Sequence, residues 1–197
     1  AYETTATEWL NGLNFLSPRV SIAHGVWLNQ SDLRLVSNQG CGIVHNPSSN
    51  LRLRSGIAPL PLFHRAGTTV AMGLDSSTLN DDSDMLQEIR LAANLQRVPG
   101  ASAGLVPVKE IYKMATVNGM RLLRWSDIAG TLEPGKQADL VLLDSRDFAL
   151  PYLAPRQNPI DTLVYRGKST AVDTVMVGGE ILYQGKKHKR INPKTVH

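Results

Sequence analysis

Three short apolar runs in the first half of the chain each lead to a side chain that binds metals or moves protons. Val20-Ser21-Ile22-Ala23 ends at His24, Gly42-Ile43-Val44 at His45, and Thr69-Val70-Ala71-Met72-Gly73-Leu74 at Asp75. A carboxylate coordinates a divalent ion or takes a proton from water, and an imidazole manages protons near neutral pH. Gathered on one rim, the three suit metal-assisted hydrolysis. Position alone also supports a plainer reading of each histidine, as a loop residue bonded to backbone. Asp75 opens Asp-Ser-Ser-Thr-Leu-Asn-Asp-Asp, in an acidic stretch that runs to Glu88. Asp81 or Asp82 is expected to cap the helix that follows and to favour its positive end. Asp75, at a strand tip, is left wanting a different reason. His64 precedes Gly67 at an expected helix end, and His188 and His197 fall in a basic tail, so these three read as structural or solvent-facing. Gly135-Lys136 is no phosphate loop, since no Ser or Thr follows and it leads into a strand rather than a helix.

Such groups need elements that carry them to one place. Ala6, Trp9, Leu10, Leu13 and Phe15 approach helical spacing over 4–15, stopped by Ser17-Pro18. Strand 20–23 is followed by a helix over 31–39 that Gly40 terminates, and strand 42–44 by a polar loop to Gly56 and a partly helical 57–65. Strand 69–74 precedes the best helix in the chain, 82–97, with Met85, Ile89, Ala92, Ala93 and Gln96 at helical offsets. Successive strand-helix units imply a parallel sheet, in which functional groups collect beyond the carboxyl ends of the strands. His24, His45 and Asp75 are therefore expected on one rim. Residues 106–123 read as helix, broken around Asn118-Gly119, and the composition then changes. A buried strand over 138–143, a hairpin about Gly178-Gly179 and a loop punctuated by Pro151, Pro155 and Pro159 predict a small β unit.

Of the 197 residues, 42% are hydrophobic and 19% charged, which excludes wholesale disorder. No apolar run approaches the roughly 18 residues of a membrane span, and AYETTATEWL lacks the features of a signal peptide, so a soluble, cytoplasmic protein without a membrane partner is expected. The single cysteine, Cys41, excludes an internal disulfide and thiolate metal clusters. Any metal must be held by His and carboxylate. The net charge of +4 arises in the tail, where Lys186, Lys187, Lys189, Arg190 and Lys194 have no acidic neighbour after Glu180. That tail lacks the interleaved aromatics that stack bases, so no nucleic-acid partner is expected.

Four strings resemble the amidohydrolase superfamily, in its cytosine deaminase and s-triazine hydrolase branch. They are Ala23-His24-Gly25-Val26-Trp27-Leu28, His45-Asn46-Pro47-Ser48-Ser49-Asn50-Leu51, Gly73-Leu74-Asp75, and the segment from Gly130-Thr131-Leu132-Glu133-Pro134-Gly135 to Asp139-Leu140-Val141. Their order and spacing match over nearly the whole chain. The resemblance implies an α/β fold: the C-terminal part of a (β/α)8 TIM-like barrel, about three strand-helix units over 1–126, and part of a small β-sandwich over 127–197. By position, Asp75 resembles the aspartate after the eighth barrel strand, which binds the metal and takes a proton from its water. His24 resembles the histidine after the sixth strand, which contacts the attacking water or the substrate. His45 and Asn50 match the seventh-strand motif and would line the substrate pocket.

The implied chemistry is hydrolysis of a C–N bond of an aromatic nitrogen heterocycle by metal-activated water, as in deamination, with dechlorination at C–Cl also open. The cofactor expected for the complete enzyme is a divalent metal, zinc or iron. The His-x-His pair after the first strand and the histidine and glutamate of the fifth are absent from this sequence. Three strands cannot close an eight-stranded barrel, so the missing N-terminal half or another copy of the chain is the expected partner, in a homo-oligomer. The competing expectation is a catalytically silent half-barrel that acts as a scaffold, because a catalytic metal site usually needs three protein ligands.

Overall fold

The computed structural model describes residues 4–76, 82–97, 104–150, 152 and 156–192. Helix α1 (Ala6–Gly12) opens with a capping box, Thr5 accepting from the Glu8 N–H while the Glu8 carboxylate accepts from the Thr5 N–H. Then β1 (Ser21–Ala23), α2 (Gln30–Asn38), β2 (Gly42–His45), α3 (Pro47–Arg52), α4 (Leu60–Arg65), β3 (Thr69–Met72) and α5 (Met85–Leu95) alternate as the sequence predicts. The strands form one parallel sheet in the order β1-β2-β3, with Ile22 beside Ile43 and Ile43 beside Val70. Ile43 and Val70 join Leu33, Val36, Phe63, Ile89 and Ala93 in the core, where the apolar sides of α2, α4 and α5 meet the sheet.

Several local expectations need correction. The polar stretch after His45 is not loop throughout, because Pro47 occupies the first turn of α3, where its missing N–H costs no helical bond. Helix α5 is capped by Asp84, which accepts from the N–H groups of Leu86 and Gln87, and not by Asp82. Asp82 instead accepts from the Asp84 N–H and the Gln87 amide, and Asp81 lies outside the described residues. Helices α6 (Val108–Met114) and α7 (Val117–Leu122) are separated at Ala115-Thr116, not at Asn118-Gly119. Thr116 leaves helical geometry with φ −131° and ψ −104°, while Asn118 stays within α7 and donates to the Val70 carbonyl. The close seat of α7 explains Gly42, since a Cβ there would fall 1.9 Å from a methyl of Leu122.

The remainder contains β4 (Leu140–Leu143), α8 (Arg146–Ala149), α9 (Pro159–Arg166), β5 (Val172–Val177), β6 (Glu180–Gln184) and β7 (Lys187–His188). The strands make an antiparallel sheet in the order β4-β5-β6-β7, and the hairpin turns at Gly178-Gly179, both with positive φ. Pro159, which the sequence places in a loop, begins α9, whose cap Asn158 accepts from the Ile160 N–H. Pro151 and Pro155 lie outside the described residues. Helix α9 packs on α5 and α6, burying Val164 and Thr162, and Arg90 of α5 donates to the carbonyls of Val164 and Gly167. It adds no parallel strand and so does not extend the first sheet. No helix among the described residues is long and apolar enough to cross a membrane.

Candidate active site

Because β1, β2 and β3 are parallel, the residues at their carboxyl ends share one rim. His24 follows β1, His45 is the last residue of β2, and Asp75 lies just past β3. Pairing continues to the edge of this rim, with the His24 N–H donating to the Val44 carbonyl and the Gly73 N–H to that of His45. His24 and Asp75 then turn sharply, with φ of 67° and 66°. Both residues sit in the left-handed region, which His and Asp tolerate better than most non-glycine residues but which still has to be held by surrounding contacts.

The turns bring the two side chains together, His24 Nε2 lying 3.8 Å from Asp75 Oδ2, each side chain about one third exposed. Helix α3 supplies what holds them. The Ser49 hydroxyl donates to Asp75 Oδ2 at 2.6 Å, and His24 Nδ1 lies 2.8 Å from Asn50 Oδ1. An amide oxygen only accepts, so this contact puts a proton on Nδ1 and, in the neutral ring, leaves the Nε2 lone pair facing Asp75. The rim also explains Gly73, where a Cβ would fall 2.4 Å from Asn46 Oδ1.

His45 is set apart from this pair. It is 2% exposed, and its Nδ1, like Asn50 Nδ2, has no hydrogen-bond partner among the described residues. Burial, with a smaller contribution from the nearby His24, pushes its pKa down to about 4. It is therefore neutral at pH 7. His64 is exposed in the last turn of α4, and His188 is exposed with its ring edge-on to Tyr183, so neither joins the rim; His197 lies outside the described residues.

Ser49 and Glu88 have places at or behind the rim that the sequence reading missed. Ser49 is buried against Asp75, and Glu88 of α5 is buried with Oε1 accepting from the Ser48 N–H at 2.9 Å. The pairing Ser49-Asn50 in a short helix straight after a strand-end His was the available signal for the first. Nothing in one sequence separates Glu88 from an ordinary first-turn acid.

His24 and Asp75 fit a divalent ion as part of a ligand set, being an imidazole and a carboxylate turned toward each other and open to solvent. They do not complete one: among the described residues no three His, Cys, Asp or Glu side chains are grouped to hold an ion, and catalytic zinc usually takes three protein ligands.

A parallel strand-helix sheet with histidine and aspartate beyond the carboxyl ends of its strands has its polar groups where α/β folds place their functional sites. The chain matches the amidohydrolase family over residues 1–182, and it belongs to that family. It is 36% identical over 188 residues to a 5'-deoxyadenosine deaminase of Methanosphaera stadtmanae, covering 95% of this chain and 43% of that protein. It is 38% identical over 181 residues to a 5-methylthioadenosine/S-adenosylhomocysteine deaminase of Thermococcus sibiricus, covering 92% of this chain and 42% of that one. Among solved structures, an adenosine deaminase from Xanthomonas campestris with bound zinc superposes with a TM-score of 0.88 at 29% identity, over 98% of this chain and 43% of that chain. A zinc complex of atrazine chlorohydrolase from Arthrobacter aurescens gives 0.86 at 27% identity, over 98% and 42%. The chain thus spans less than half the length of the relatives it matches.

Proposed function

We propose that the protein carrying this chain is a metal-dependent hydrolase that deaminates an adenine-type nucleoside. In this reading residues 1–126 are the last strand-helix units of a (β/α)8 barrel and 127–197 part of a β-sandwich. The observation that carries it is the convergence of His24 and Asp75 from separate strands, each held by a neighbouring residue of α3. The names of the deaminase relatives support the nucleoside substrate, and the chlorohydrolase similarity keeps other electron-poor heterocycles in the test.

Asp75 would be the chain's ligand to the metal, with the rest of the set coming from the remainder of the barrel or from another copy of the chain. A divalent cation such as zinc supplies Lewis acidity that makes water nucleophilic near neutral pH. The Asp75 carboxylate, oriented by Ser49, accepts a proton at the oxygen facing His24. His24, with Nδ1 engaged by Asn50, presents Nε2 to accept a proton or to hold the substrate. Neutral His45 and Asn50 wall the pocket. β1 and β3 have no strand on their outer edges among the described residues, and those edges are where the rest of a barrel would pair.

The second reading, a silent scaffold, is favoured by the incomplete ligand set. Ammonia release from the nucleosides, measured beside chloride release from the chlorotriazine, decides between them. With zinc present, the protein is expected to deaminate 5'-deoxyadenosine or 5'-methylthioadenosine faster than it hydrolyses a chlorotriazine. No turnover of any of these, with no zinc retained on dialysis, would leave the scaffold reading.

A further inference from the structure

We propose that Glu88 is a positioning residue for this site, acting through the Ser48 N–H on α3, the helix that holds His24 and Asp75; the role rests on the functional reading above. Helix α3 lacks the usual means of fixing its start. Asn46, at its cap position, makes no capping bond, and Pro47 has no N–H to offer. Ser48 therefore bears the first N–H of the helix, and it meets Glu88 Oε1 at 2.9 Å. The Ser48 hydroxyl bonds the same carboxyl group. A carboxyl oxygen borrowed from α5 thus stands in for the missing cap.

Helix α3 has little else to fix it. Its only large apolar side chain, Leu51, is exposed, while the polar Ser49 and Asn50 are buried. These are the two residues that follow Ser48, and they bond Asp75 and His24. A shift of α3 along its axis would move both contacts together. Glu88 belongs to the strand-helix unit that also delivers Asp75, so the carboxylate locks the second unit to the third. Burial raises the pKa of Glu88 while the Ser48 bonds lower it, and the N–H and hydroxyl that Ser48 offers are donors, which an acceptor oxygen at this place satisfies.

Two variants of the complete zinc-loaded protein separate the alternatives. Glu88→Gln keeps the reach and an acceptor oxygen but gives up the charge, whereas Glu88→Asp keeps the charge and withdraws the oxygen by one methylene. The Asp variant is expected to lose about 10- to 100-fold in kcat with KM nearly unchanged, the scale of a small misplacement of catalytic groups. It is also expected to lose the hydrogen-bonded Nδ1–H signal of His24 in 15N-histidine NMR. The Gln variant is expected to stay near the parent in both. Thr5→Ala, which removes the cap of α1, controls for lost stability and should leave kcat and the signal in place. An active Asp variant, or Gln and Asp variants impaired alike, would overturn the proposal. The NMR readout needs no substrate, so it decides the role of Glu88 even if the deaminase reading fails.

Discussion

Protonation of His45 should destabilise the fold over a defined pH window. The ring is 2% exposed, its Nδ1 has no partner, and its pKa lies at about 4, against an ordinary value of about 6.5 in the unfolded chain. Between these values the unfolded state binds a proton that the folded state refuses, so stability falls as pH falls. The contribution of neutral His45 is fully present above about pH 6.5, is reduced by about 2 kcal/mol at pH 5, and is lost by roughly 3 kcal/mol in all once pH drops through about 4. Urea unfolding at a series of pH values, for the parent and for His45→Gln, isolates the effect because glutamine does not titrate. The parent should lose about 2 kcal/mol more than the variant between pH 7.5 and 5, and an imidazole NMR titration should place the ring's pKa near 4. Parallel stability profiles for the two proteins, or a His45 pKa above 6, would refute the reasoning.

Replacing Ser49 with Ala should lower kcat by about 10- to 100-fold, since a hydrogen bond to a carboxylate is worth about 1.5–3 kcal/mol; steady-state kinetics with unchanged zinc content checks this. Gly73→Ala should destabilise by about 1–3 kcal/mol, because the added Cβ meets Asn46 Oδ1 at 2.4 Å and a Val44 methyl at 3.0 Å beside the rim, and these packed side chains must give way; a fall in urea midpoint with turnover also reduced is the expected result. Phe63→Ala should cost about 3–5 kcal/mol by opening a cavity at a fully buried ring, measured by the same unfolding.

The alternation of strand and helix was legible because each run of β1, β2 and β3 is bounded by turn residues and followed by a polar or helical stretch. Their shared direction then puts His24, His45 and Asp75 on one rim, as the sequence predicts. What could not be read is set by backbone geometry and by contacts distant in sequence. Asp84 caps α5 rather than Asp82 because local geometry, not acidity, decides which carboxylate faces the N–H groups. Pro159 starts a helix because α5 and α6 offer it a surface to pack on, although alone it looks like a loop residue. Within the site, His45 and Asp75 are equivalent as strand-end groups in the sequence, yet one is buried and neutral while the other is exposed and faces His24.

The central claim is that Asp75 belongs to a metal-dependent deaminase site, and zinc content measured beside ammonia release from 5'-deoxyadenosine tests it most directly. In the complete protein, Asp75→Ala should lose both zinc and turnover, while His24→Asn should retain most of the zinc and lose roughly 10²- to 10⁴-fold in turnover, the usual size of an acid/base contribution. An Asp75→Ala protein that keeps its zinc and its rate would contradict the account.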